Sequence, residues 1–129
     1  MFLKIMEHTE RHPYYVNALC DEVWSECIEY PDLAKINECW EFIVEGERSD
    51  LIKDFLRLSD NQRKVLIYIA NGGGKEIFSS QSAKAMDIAP GSLHTALASL
   101  LERDFIEKVN DGYRLIVPVY RSLLKTDKI

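Results

Sequence analysis

The chain predicts a mainly α-helical protein with one small β-hairpin near its C-terminus. Apolar residues recur at intervals of three and four along most of residues 13–103, the spacing that lines one face of a helix. Two short β-rich runs, Phe105–Val109 and Tyr113–Val117, flank Asn110-Asp111-Gly112, a hairpin signal. Proline and capping residues at Pro13, Pro31-Asp32, Ser59 and Pro90 divide the helical part into separate segments.

Residues 2–9 read as the tail of a helix, punctuated by Arg11-His12-Pro13. Proline suits the first turn of a helix, where its missing N–H costs nothing. Tyr15, Leu19, Val23 and Cys27 keep helical spacing after it, so a helix is expected from about Pro13 to Ile28. Tyr30-Pro31-Asp32 is a breaker carrying an N-cap residue. Leu33, Ile36, Trp40, Ile43 and Val44, continued by Leu51, Phe55 and Leu58, predict one long helix with a weak spot at Gly46. Trp24, Trp40, Tyr14 and Tyr15 are the expected aromatic core of this helical half.

Ser59-Asp60-Asn61-Gln62 is a capping box that opens a helix burying Val65, Leu66 and Ile69. Asn71-Gly72-Gly73-Gly74 ends it, and Glu76-Ile77-Phe78 is expected to be a short strand. Ser80–Met86 is a short helix with Ala83 and Met86 inward, and Asp87-Ile88-Ala89-Pro90 is a turn with Pro90 at the next helix's first position. That helix buries Leu93, Leu97, Leu100 and Leu101 and runs to about Arg103. The hairpin follows, its turn built from residues able to take positive φ. Pro118 ends it, and Val119–Lys125 closes the chain as a helix. Helix, short strand, helix, turn, helix and hairpin, in that order, make a winged helix-turn-helix. Two domains are therefore expected: a helical one over 1–58 and a winged helix over 59–129.

The bulk composition narrows the function classes. At 47% apolar and 29% charged residues the chain has the make-up of a soluble globular protein. No run approaches the roughly 20 apolar residues of a membrane span, and no signal-peptide core is present, so a cytoplasmic location without membrane contact is expected. Cys20, Cys27 and Cys39 are odd in number and lack metal-ligand spacing, which favours buried reduced thiols over a metal site. Residues 1–58 carry 6 Lys+Arg against 13 Asp+Glu, a net of −7, while residues 59–129 carry 10 against 8, a net of +2. The acidic half is a poor partner for nucleic acid, and the small basic excess of the other half does not by itself prove such contact.

No catalytic constellation stands out. His8, His12 and His94 are scattered, and no serine or cysteine has a recognisable activating partner. Gly72-Gly73-Gly74-Lys75 lacks the spacing of a phosphate-binding loop, follows a helix rather than a strand, and has glutamate after the lysine; it reads as a helix stop. In a helix-turn-helix the second helix turns its outward face to a partner, classically the DNA major groove. Here those positions are Ser92, His94, Thr95, Ser99 and Glu102, with Lys108 and Arg114 at the wing. Ser92, His94, Thr95, Ser99, Lys108 and Arg114 are the candidate contacts for DNA or a protein partner. Glu102, Asp104, Glu107 and Asp111 lie nearby and oppose phosphate. An anion near Arg11-His12-Pro13, at a helix N-terminus, is a minor reading of the first half.

Thr9-Glu10-Arg11-His12-Pro13-Tyr14-Tyr15-Val16-Asn17-Ala18-Leu19-Cys20, followed by Val23-Trp24, resembles the lid segment of the archaeal-type ATPases, AAA-like proteins of the STAND class of prokaryotic NTPases. The family's glycine before His-Pro is replaced here by Arg11. Leu58-Ser59-x-x-Gln62-Arg63-x-x-Leu66, Gly91-Ser92-Leu93-x-x-Ala96-Leu97-x-x-Leu100 and Gly112-Tyr113-Arg114-Leu115-x-Val117-Pro118 are similar to the same family's C-terminal winged helix. Val117 stands where that family commonly has aspartate before proline, and Ser122-Leu123 or Leu123-Leu124 stands in place of a Trp-Leu pair.

The resemblance covers nearly the whole chain and implies a C-terminal region, helical lid first and winged helix second. Walker A and Walker B segments are missing from it. By position it makes His12 and Pro13 the nucleotide-sensing residues of a parent ATPase. It implies ATP and magnesium only together with a missing N-terminal ATPase domain, so the chain itself is expected to be non-catalytic. The expected role is regulatory, with the winged helix docking intramolecularly or on a partner protein. The alternative is a winged-helix DNA-binding module or transcription regulator, and an unrecognised small enzyme is a distant third.

Overall fold

The computed structural model describes residues 2–26 and 31–125. The chain forms two compact units, Met1–Asp50 and Leu51–Ile129. Helix α3 (Leu33–Leu56) runs unbroken across that division. The sequence reading draws its boundary after residue 58. The structure divides earlier because the last turns of α3 bury Phe55, followed by Leu58, in the second unit's core.

In the first unit, α1 (Phe2–Thr9) buries Ile5 and Thr9, and the Thr9 hydroxyl donates to the Ile5 carbonyl at 2.7 Å. Glu10 and Arg11 then take φ of +50° and +63°, reversing the chain so that the His12 N–H reaches the Thr9 carbonyl at 2.9 Å. Helix α2 (Pro13–Glu26) begins on proline and buries Tyr15, Leu19 and Val23, one turn apart. The rest of the segment expected to end it, Cys27 and Ile28, lies outside the described residues, as does Tyr30. Asp32 caps α3, accepting from the Lys35 N–H at 2.8 Å. Ile36, Cys39, Trp40 and Val44 complete this core.

Two expectations for this half need correction, and one holds: α3 is a single long helix that Gly46 does not interrupt. A glycine inside a helix costs only about 1 kcal/mol against alanine, less than the burial that flanks it supplies. Trp24 and Tyr14 are not core residues; they are 84% and 63% exposed. Each sits one residue from a core position, and one residue turns a helix by about 100°, enough to point it outward. Leu33, expected to start the buried stripe, is likewise exposed.

The second unit opens with α4 (Asp60–Tyr68). Its capping box is complete: the Gln62 N–H donates to Ser59 Oγ at 3.2 Å, and the Ser59 N–H donates to Gln62 Oε1 at 2.9 Å. The helix widens into a π-type turn at Ile69–Gly73 and stops where Gly72 takes φ of +95°. Helix α5 (Ser80–Met86) is capped by Ser79, and Asp87 ends it in the left-handed region at φ +54°. Helix α6 (Pro90–Glu102) buries Leu93, Ala96, Leu97 and Leu100 against α4. Strands β1 (Ile106–Val109) and β2 (Gly112–Leu115) pair antiparallel, Ile106 facing Leu115 and Val109 facing Gly112. Helix α7 (Val119–Leu123) closes the unit, Tyr120 donating its hydroxyl to the Leu51 carbonyl at 3.0 Å.

Two further corrections fall here. Glu76-Ile77-Phe78 is not a strand. Only Lys75 bridges the sheet, opposite Gly112, because Glu76 takes φ of +51° and bends the chain away at once. The hairpin turn does not use positive φ: none of Asn110, Asp111 and Gly112 adopts it. Gly112 serves a different need. A Cβ there would collide with the Gly74 carbonyl oxygen, and one on Gly74 would collide with that of Tyr113. The two bare backbones permit the Lys75 bridge and the 3.0 Å bond from the Tyr113 N–H to the Gly74 carbonyl. The helices, the turn and the two-stranded wing are thus present in the predicted order, with the single bridge at Lys75 in place of the expected short strand.

Candidate interaction face

The side chains singled out in the second unit come from α6 and the wing. Leu93, Ala96, Leu97 and Leu100 occupy the inward face of α6, which leaves His94 and Thr95 exposed and Ser92 and Ser99 half-buried. The two flanks of this helix differ in character.

On the flank toward α4, Ser92 and Thr95 line an open cavity of about 260 Å³ together with Ser59, Asn61 and Gln62. Ser99 is already engaged, accepting from Gln62 Nε2 at 2.6 Å. The Thr95 hydroxyl donates back to the Gly91 carbonyl at 3.1 Å. The N-cap of α6 is Ala89, which offers no side-chain acceptor to the first turn. This flank presents hydroxyls, amides and free backbone N–H groups, a neutral hydrogen-bonding surface.

The other flank is aromatic. His94 stacks on Phe78 with ring centroids 4.4 Å apart, and Tyr113 from β2 meets Phe78 edge-on at 6.4 Å. Phe78 remains 49% exposed. Sequence reasoning assigned Phe78 to a strand and so missed it. The available signal was a large aromatic directly before the Ser79 cap, where a turn leaves it little to bury against.

The wing carries cations that are already paired. Arg114 lies cross-strand from Glu107 and forms an ion pair with it, while Lys75 pairs with Asp111 at 3.2 Å. Lys108 is exposed on β1, on the same strand face as its cross-strand partner Tyr113. Exposed pairs of this kind add little stability, but they cancel much of the field a phosphate would sense.

His12 and Pro13 belong to the first unit. The His12 carbonyl accepts the first bond of α2, from the Val16 N–H at 2.9 Å, and its ring meets Tyr15 edge-on at 5.1 Å. Nδ1 of His12 is buried without a hydrogen-bond partner among the described residues. Pro13 and Arg11 border a shallow groove of about 530 Å³ lined mainly by Leu3, Met6 and Val16. The expected proximity of His12 to an anion site thus has an apolar surface beside it. Among the described residues no three His, Cys, Asp or Glu side chains gather into a metal-binding set, and no helix is long and apolar enough to cross a membrane.

A three-helix core, a bridging residue at Lys75 and a two-stranded wing define a winged-helix protein. A family model described as a probable winged helix domain matches residues 52–125, more than half of the chain, and the chain belongs to that family. No curated protein and no solved structure gives a match.

Proposed function

We propose that this chain is a non-catalytic regulatory module whose winged helix docks on protein, either a partner or an ATPase motor domain of the STAND type. The observation that carries the protein-docking reading is the neutral, aromatic character of the helix–wing face. Arg114 and Lys75 are each held by a carboxylate, and Phe78 stacks on His94 where a DNA-reading helix would offer free polar and basic side chains. Partly exposed aromatics beside paired charges suit a protein hot spot better than a phosphate track. The link to an ATPase is supported by the His12-Pro13-Tyr14-Tyr15 segment and by the order of the later motifs. In that reading His12 and Pro13 sense nucleotide in the assembled protein, and ATP and magnesium are held by the motor.

Titration of a labelled mixed-sequence duplex with the full chain, at low and then physiological salt, tests this. A flat response at both supports docking on protein. Binding that weakens steeply as salt rises overturns it in favour of DNA. Magnesium-dependent ATP hydrolysis by the purified chain would overturn the non-catalytic part.

A second reading, a DNA-binding module, is favoured by the flank of α6 facing α4. Ser92, Thr95 and the uncapped first turn of α6 are groups that hydrogen-bond a phosphate backbone, and Lys108 is exposed on the wing.

A further inference from the structure

Helix α3 carries an exposed face that is complementary to itself. Phe42, Glu45, Gly46, Ser49, Lys53 and Leu56 fall within about a third of the helix circumference, at 100° per residue. Phe42 is 65% exposed and Leu56 61%. Glu45, Gly46, Ser49 and Lys53 between them are exposed too, and nothing lies within 4 Å of a Cβ built on Gly46. Two large apolar side chains on one stripe, with small residues between, form a surface that water covers poorly.

The stripe is symmetric about Ser49. Phe42 lies seven residues before it and Leu56 seven after; Glu45 lies four before and Lys53 four after. In an antiparallel pair of α3 helices crossing at Ser49, a two-fold axis sets Phe42 of one copy on Leu56 of the other. The same axis sets Glu45 of each copy on Lys53 of its mate, and Gly46 with Ser49 lets the helix axes approach. A parallel pair would instead oppose Glu45 to Glu45 and Lys53 to Lys53, which repel. Within one chain Glu45 meets Arg48 at 3.3 Å, which leaves its second oxygen for a lysine from outside.

We propose that this face of α3 is the interface of an antiparallel homodimer, two copies of the chain related by a two-fold axis at Ser49. The inference is independent of whether the winged helix docks on protein or DNA. A stripe from Phe42 to Leu56 is about 21 Å long at 1.5 Å per residue, so the dimer belongs to the weak, concentration-dependent class.

Sedimentation of the full chain from about 10 μM to about 500 μM at low salt tests it, a range bracketing such affinities. The wild type is expected to pass from monomer to dimer. Because the axis doubles every contact, Glu45→Lys creates two Lys–Lys oppositions and Lys53→Glu two Glu–Glu oppositions. Each alone is expected to weaken dimerisation about tenfold or more. The double variant E45K/K53E restores both pairs and is expected to dimerise again. An equimolar mixture of the two single variants is expected to form the heterodimer. A wild type that stays monomeric throughout overturns the proposal. So does a dimer indifferent to the single reversals, or one that neither the double variant nor the mixture restores.

Discussion

Gly74 and Gly112 lie backbone against backbone, so close that neither can carry a side chain. The atoms a Cβ would strike are carbonyl groups held in the sheet bridge, not the free ends of side chains. Gly112→Ala, and equally Gly74→Ala, is therefore expected to destabilise the second unit by about 2 kcal/mol or more. Gly46→Ala is the contrast: the site is open and mid-helix, so alanine is expected to stabilise by about 0.5–1 kcal/mol. Urea unfolding midpoints of the three variants at low protein concentration check both signs.

The carboxylates of the wing restrain its cations, and removing them is expected to unmask a latent affinity. Glu107→Gln frees Arg114, and Asp111→Asn frees Lys75. The double variant gains two units of positive charge beside exposed Lys108 and is expected to bind a mixed-sequence duplex weakly at low salt, where the wild type gives no response. Fluorescence anisotropy of a labelled duplex is the measurement. Duplex binding by the wild type as tight as by the variant would sink the idea that these pairs matter.

Tyr120 ties α7 to the start of the second unit through its bond to the Leu51 carbonyl. Burial pushes its hydroxyl pKa up from 10.0 to about 12, and the nearby Asp54 adds to the rise. A raised pKa means that the folded protein holds this proton more tightly than the unfolded chain does. The neutral phenol's contribution is thus complete below pH 10 and lost as pH climbs toward 12. Tyr120→Phe is expected to cost about 1 kcal/mol at neutral pH, the worth of one hydrogen bond, and to flatten the fall in stability between pH 10 and 12. Thermal melts of both proteins across that window check the slope.

Local signals in the sequence were sufficient where structure is local. The Ser59–Gln62 capping box, Pro90 opening α6 and the two strands of the hairpin all depend on residues within nine of one another, and all are where periodicity and turn chemistry place them. What depends on long-range contact was not legible. The Lys75 bridge needs Gly112 from the far end of the unit, so the strand expected at Glu76–Phe78 shrank to one residue. Gly112 was recognised as special for its freedom in φ, when the approach of Gly74 is what demands it. At the interaction face the outward residues of α6 followed from helical phase, and the opposing carboxylates were visible as a group. Their pairing with Arg114 and Lys75, and the stacking of Phe78 on His94, required the fold.

Trp24 and Trp40 occupy opposite environments, and this supplies a direct check on the phase of α2. Trp40 is 1% exposed and stacks on His8 at 5.4 Å, while Trp24 is 84% exposed. Val23, next to Trp24, is buried, and the rotation between neighbours on a helix carries the indole into solvent. Trp24→Phe removes almost no buried area and is expected to change stability by less than about 0.5 kcal/mol. The emission left behind belongs to Trp40 and is expected to be blue-shifted and poorly quenched by acrylamide. Trp40→Phe empties part of a close-packed core and is expected to cost about 1–3 kcal/mol, leaving a red-shifted, strongly quenched Trp24. Equal quenching of the two single-tryptophan proteins would mean that Trp24 is covered in solution. The helical phase set by Tyr15, Leu19 and Val23 would then be wrong, or a partner copy would be masking the indole. Dilution separates the two, since only the second cause disappears at low concentration.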